Sequence, residues 1–129
     1  MTNVLDKILY VEDDPDIQAI AVMVLESISG FTLIACSSGN DAVTKAAAFN
    51  PDLVLLDVMM PGMDGPETLQ ALRKLPELAK TPVVFMTAKV QPQEVQGYLE
   101  LGAVAVIAKP FDPMTLADQL RDIWASVTH

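Results

Sequence analysis

Five short apolar runs constrain this chain more than any other feature. They begin at Ile8, Phe31, Leu53, Val83 and Val104, separated by 23, 22, 30 and 21 residues. Each interval holds about one strand plus one helix. The strands are expected over 8–11, 31–35, 53–57, 83–86 and 104–108. The segments between them carry helical periodicity. Ile17, Ile20, Ala21, Val24, Leu25 and Ile28 share one face of the first, with Val22 and Met23 off that stripe. Strict alternation of strand and helix predicts a parallel sheet with helices on both faces, and parallel strands buried on both sides read as unbroken apolar runs. A chain of 129 residues, 51% apolar, fits one such α/β domain over 1–129.

Local signals place the helix ends. Asp14 is positioned as an N-cap with Pro15 at the first helical position, and Gly30 closes that helix. Ser37-Ser38-Gly39-Asn40 opens the second, and Asn50-Pro51 ends it, because a residue before proline leaves the helical region. Gly65-Pro66-Glu67 starts the third, whose Leu69 and Leu72 face inward, and Pro76 stops it. The fourth runs from about Pro92 to Gly102 and contains Gly97. An interior glycine costs up to about 1 kcal/mol against alanine, so this helix is expected to be the least stable. Asp112-Pro113 caps the last, with Leu116, Leu120, Ile123, Trp124 and Val127 on its inner face.

The charge balance excludes several partner classes. Eight basic and 17 acidic residues give a net charge of −9 and a pI near 4.3. Such a chain repels nucleic acid and anionic lipid, so neither is an expected direct partner. The N-terminus lacks the basic start and apolar core of a secretory leader. No apolar run approaches the roughly 20 residues that span a bilayer. A cytoplasmic protein is expected. Cys36 lies in an apolar stretch and reads as a small core residue, and a single cysteine forms no intrachain disulfide. His129, the only histidine, is a terminal residue with no expected role in catalysis.

Four strand ends carry polar residues: Glu12 and Asp13, Asp57, Thr87, and Lys109. In a doubly wound parallel sheet the C-terminal strand ends line one crevice, where such folds place their ligands. Each residue also has an ordinary reading: a solvated turn and helix cap for Glu12 and Asp13, a turn residue for Asp57, a strand-end threonine, and a snorkelling lysine. Taken together they form one cluster. Three carboxylates in one crevice repel strongly, at about 332/(ε·r) kcal/mol per pair, unless a cation neutralises them. All-oxygen donors suit Mg²⁺ or Mn²⁺. With such an ion on Asp13 and Asp57, and Glu12 acting through water, Asp57 is placed to attack phosphorus and form an acyl phosphate. Lys109 then pairs with the phosphoryl charge and the Thr87 hydroxyl donates to a phosphoryl oxygen.

At this point the sequence resembles the receiver domain of bacterial two-component response regulators, from Lys7 to about Val127. The likeness rests on Ile8-Leu9-Tyr10-Val11-Glu12-Asp13-Asp14-Pro15, Asp57-Val58-Met59-Met60-Pro61-Gly62-Met63-Asp64-Gly65, Thr87-Ala88 and Lys109-Pro110-Phe111. It implies a flavodoxin-like five-stranded sheet in the order 2-1-3-4-5 with five helices. It implies transfer of a phosphoryl group to Asp57 from a sensor histidine kinase or histidine phosphotransfer protein. It also implies Mg²⁺ held by Asp13, Asp57 and the Met59 main-chain carbonyl with Glu12 alongside, and a cis Lys109-Pro110 bond. The expected surface for a downstream effector protein is that of the fourth helix, last strand and last helix.

One position departs from the family pattern. Members usually carry Tyr or Phe three residues before the lysine; here it is Val106, small and stiff at χ1. Signalling is therefore expected to rely on movement of the region from Thr87 to about Tyr98, or to be weak. Met59 and Lys89, each two positions beyond a site residue, are expected at the mouth of the site, where they hinder water and slow acyl-phosphate hydrolysis. Two other functions fit the same residues. One is a Mg²⁺-dependent phosphohydrolase with an aspartyl nucleophile. The other is a degenerate receiver that binds partners without phosphorylation.

Overall fold

The computed structural model describes residues 4–128. The reading of His129, and residues 1–3 of the stretch examined for a leader, lie outside it. Five parallel strands, β1 Lys7–Val11, β2 Thr32–Cys36, β3 Leu53–Asp57, β4 Val83–Thr87 and β5 Ala105–Ala108, form one sheet in the order β2-β1-β3-β4-β5. Five helices alternate with them: α1 Pro15–Val22, α2 Gly39–Phe49, α3 Gly65–Arg73, α4 Pro92–Glu100 and α5 Leu116–Val127. Among the described residues no helix is long and apolar enough to cross a membrane.

Strand alternation divides the core in two. Leu9, Val11, Val54, Leu56, Val83 and Phe85 pack with Ala42 and Ala46 of α2 and Leu69 and Leu72 of α3. Ile8, Tyr10, Leu53, Leu55, Val84 and Met86 pack on the opposite face with Ala21 of α1 and Leu116 and Leu120 of α5. β3 and β4 are buried along their whole length, as expected of central parallel strands. Cys36 is free and fully buried.

Helix starts follow the capping signals closely. Asp14 accepts from the amides of Asp16 and Ile17 at 2.9 and 3.2 Å. Ser38 caps α2, and Asn50 closes it in the left-handed region at φ 51. Asp64 and Glu67 make a reciprocal capping box at α3.

Three expectations need correction. The first helix does not stay α-helical to its end, because Met23–Ile28 winds as a π-helix. Within that turn Val24 and Leu25 stay buried as the stripe predicts, and Ile28 at its end leaves it. Ile28 is 71% exposed; within α1, ahead of that turn, Ile20 is exposed and Val22, assigned off the stripe, packs on the core. α5 begins at Leu116. The Asp112 carboxylate instead holds the preceding turn, accepting from the Met114 amide at 2.8 Å. Val127 is exposed at the far end of that helix.

α4 is the helix with no fully buried residue. Gly97 lies in its interior, has no positive φ, and has open space where a Cβ would project. Gly97→Ala is therefore expected to stabilise the protein by about 0.5–1 kcal/mol, a rise in Tm of about 2–4 °C for a domain of this size. Thermal denaturation followed by circular dichroism measures it; a lower Tm would contradict the open surroundings of Gly97.

Candidate functional site

The site is built on the C-terminal ends of β1, β3, β4 and β5. Parallel pairing sets Val11 beside Leu56, Asp57 beside Met86, and Thr87 beside Ala108. Strand ends carrying Glu12, Asp57, Thr87 and Lys109 thus reach one rim. The loop after β3 folds back tightly on the strand that leads into it. The Gly65 amide donates to the Val58 carbonyl at 2.8 Å. A Cβ on Gly65 would lie 2.7 Å from the Asp57 carbonyl oxygen. Only glycine allows α3 to start this close to Asp57.

Glu12 is 1% exposed and Asp57 3%. Between them sits the Lys109 ammonium, 2.9 Å from Glu12 Oε1 and 3.1 Å from Asp57 Oδ1. Asp13 is exposed at the edge of the same group, and Glu12, Asp13 and Asp57 each offer a carboxylate oxygen within 4.8 Å of the others. The residues read from separate strand ends are therefore brought together. Sequence reasoning placed Lys109 against a phosphoryl charge alone and Glu12 behind a water. Here Glu12 is a fully buried partner of Lys109, because its side chain turns under the rim while Asp13 points outward.

Thr87 is buried, and its hydroxyl accepts from the Lys89 amide at 3.1 Å. The Lys109 amide donates to the Thr87 carbonyl at 2.9 Å, and the Lys109–Pro110 peptide is cis. Met59 is 63% exposed. With Lys89, Val58, Met60, Pro61 and Asp64 it lines a groove of about 540 Å³ beside the loop. Gln18 was missed. Its side-chain amide donates to the carbonyls of Glu12 and Cys36 at 2.9 and 3.2 Å, tying the β1 end to the β2 end. Its place one turn after the Asp14 cap was the available signal.

Electrostatics follow from this crowding. Burial, and then the Glu12 carboxylate, push Asp57 up to about 7, with Lys109 pulling the other way. Burial opposes the Lys109 ammonium, but its hydrogen bonds to Glu12 and Asp57 outweigh that and raise its pKa. Burial, followed by the charges of Glu12 and Asp57, raises the Tyr10 phenol and keeps it neutral. Glu12 Oε1 is buried, and among the described residues the Lys109 ammonium at 2.9 Å is the counter-charge that faces it. A set of hard oxygen donors with one cation for three carboxylates fits a divalent ion of the Mg²⁺ type.

Comparison with known proteins points one way. The family model described as the response regulator receiver domain matches residues 8–121. The DNA-binding response regulator MtrA of Mycolicibacterium smegmatis is 36% identical over 121 residues, which is 94% of this chain and 51% of that protein. The probable C4-dicarboxylate response regulator DctR of Priestia megaterium is 39% identical over 81% of this chain and 45% of its own length. The chain thus spans about half the length of these curated relatives. Among solved structures, chemotaxis protein CheY4 of Vibrio cholerae aligns with a TM-score of 0.85 at 29% identity, over 92% of this chain and 98% of that one. The signal receiver domain of a signal transduction histidine kinase from Syntrophus aciditrophicus aligns at 0.80 and 32% identity, over 96% of this chain and 93% of that one.

The raised Asp57 carboxyl makes a stability prediction with a definite sign. Between its ordinary value of 3.8 and about 7 the folded state binds more protons than the unfolded state, so this group's contribution is lost as pH rises through that window. In chelator, Asp57→Asn should be more stable than the parent at about pH 8, by on the order of 1–3 kcal/mol, and the gap should close toward about pH 4. Urea denaturation across pH measures the gap; one that stays constant would contradict the shift.

Proposed function

The chain belongs to the response regulator receiver family, and from that premise we propose that it is a phosphorylation-controlled signalling module with Asp57 as phosphoacceptor. One observation carries the reading. A buried carboxylate stands at the tip of the central strand, with Lys109 Nζ 3.1 Å away and two further carboxylates beside it.

The phosphodonor is the phosphohistidine of a sensor histidine kinase or a histidine phosphotransfer protein. An Asp57 carboxylate oxygen attacks phosphorus. The new O–P bond forms as the P–N bond breaks, and the electron pair leaves with the imidazole, which takes up a proton. Lys109 is free to turn from the carboxylates to the phosphoryl charge, and the Thr87 hydroxyl donates to a phosphoryl oxygen. Asp13, Asp57 and the Met59 main-chain carbonyl would hold Mg²⁺ (or Mn²⁺), with Glu12 contributing through water. The ion, when bound, supplies the positive charge that offsets the carboxylates and the incoming phosphoryl group. The module also catalyses hydrolysis of its own acyl phosphate. Met59 and Lys89 flank the groove beside the site and restrict the approach of water.

The effector is a protein that binds across α4, β5 and α5, where Leu99, Leu101, Val104 and Val127 are exposed. The net charge of −9 speaks against direct contact with nucleic acid or membrane, and a cytoplasmic setting suits the partners.

Incubation with Mg²⁺ and acetyl phosphate should add one phosphoryl group by intact mass, and none without Mg²⁺ or in Asp57→Asn. No adduct on folded protein would favour a degenerate binding module; phosphate release without an accumulated adduct would favour a phosphohydrolase. Met59→Asn with Lys89→Ala should shorten the adduct lifetime several-fold. An unchanged decay rate would show that these side chains do not shield the bond.

A further inference from the structure

α4 is held to the rest of the molecule differently from the other helices. α1, α2, α3 and α5 each bury at least one residue completely, and α4 buries none. Of its side chains, Tyr98 is the one that packs against the hydrophobic core clusters. The Tyr98 ring meets the buried Phe85 ring edge-on, centroids 5.5 Å apart and planes at 88°, a favoured aromatic geometry. Phe85 pairs with Val106 across the β4–β5 ladder. Val106 and Tyr98 are both partly buried on the same cluster. A small side chain on β5 and a large one on α4 thus share the space above Phe85.

This anchor is connected to the site by a short route. Thr87 is two residues beyond Phe85 and on the same face of β4. Its hydroxyl accepts from the Lys89 amide, three residues before α4 begins. The Gln91–Glu94 capping box makes the start of α4 a closed unit. If the Thr87 hydroxyl turns toward a phosphoryl group on Asp57, its bond to Lys89 changes, and the loop passes that change to a helix fixed at one side chain.

We propose that Tyr98 is the positioning residue that couples Asp57 to the effector surface: its ring seat on Phe85 and Val106 sets the placement of α4, and that seat changes when Asp57 is phosphorylated. The aromatic that reports the state of the site is carried on α4 and not on β5. Leu99 and Leu101, exposed next to the anchor, move with it and alter the surface an effector meets. The proposal rests on Asp57 being the phosphoacceptor.

The test uses the whole chain, with Mg²⁺ and acetyl phosphate, in the parent, Tyr98→Phe, Tyr98→Leu and the exchange variant Tyr98→Ala/Val106→Tyr. Intact mass reports the adduct, and two-dimensional NMR reports the amides of residues 87–101 and the Tyr98 ring. All four proteins should take up one phosphoryl group. The parent and Tyr98→Phe should show shifts across the α4 amides, and the parent's Tyr98 ring signals should move. Tyr98→Leu should lose most of the α4 response, roughly fivefold in amplitude, while keeping the response of residues next to Asp57. The exchange variant should regain part of it. Adduct formation with an undiminished α4 response in Tyr98→Leu, or with unmoved ring signals in the parent, overturns the role of Tyr98 alone. No adduct in any protein overturns the phosphoacceptor reading and this proposal with it. Should Tyr98→Leu fail to fold, the ring signals of the parent decide.

Discussion

The Lys109 ammonium, set between Glu12 and Asp57, is the contact on which the site depends. Two carboxylates almost removed from water would repel each other strongly in the low dielectric of the rim. One cation at 2.9 and 3.1 Å offsets part of that cost. The compensation is incomplete: burial first, and then the Glu12 carboxylate, still push Asp57 up to about 7. A site in this condition favours any further positive charge and favours chemistry that consumes the carboxylate.

The surrounding structure holds this uncomfortable arrangement in place. β3 is buried at every residue, so Asp57 has little freedom to escape into solvent. Gly65 lets α3 close over the end of that strand. Gln18 ties the ends of β1 and β2 together beneath Glu12 and Asp13. Rigidity is therefore concentrated on the β1–β3 side of the rim. On the β4–β5 side the contacts are sparser, with α4 resting on one aromatic ring. Thr87 and Lys109 nevertheless reach the rim from this second side, so the site is assembled from a tightly tied β1–β3 half and a half whose outer helix buries no residue completely.

Much of this was legible in the residues. Short apolar runs bounded by turn signals, alternating with segments of helical periodicity, determined a parallel α/β sheet, whose strands are covered on both faces. Asp14, the Ser37-Ser38-Gly39-Asn40 stretch and Gly65-Pro66-Glu67 marked helix starts, since capping is decided within three residues. The polar residues at four strand ends could be assigned to one rim once the strands were taken as parallel. Strand order came from family likeness and not from periodicity, which contains no information about lateral neighbours.

Tertiary structure decided what local pattern cannot express. The segment Met23–Ile28 winds as a π-helix and leaves Ile28 exposed, although its spacing matches the buried stripe, and apolar spacing read at a fixed α-helical period does not register a change of winding. Burial of Glu12 and exposure of its neighbour Asp13 depend on which carboxylate turns toward Lys109, a residue 97 positions from Glu12 in the chain. The pairing of a large Tyr98 with a small Val106 over Phe85 joins three elements that no sequence window contains. The sequence alone therefore determined the elements and the chemical types at the rim, whose signals are short-range. Charge pairing, the raised Asp57 and the single anchor of α4 arise from side chains distant in sequence that meet only in the folded chain.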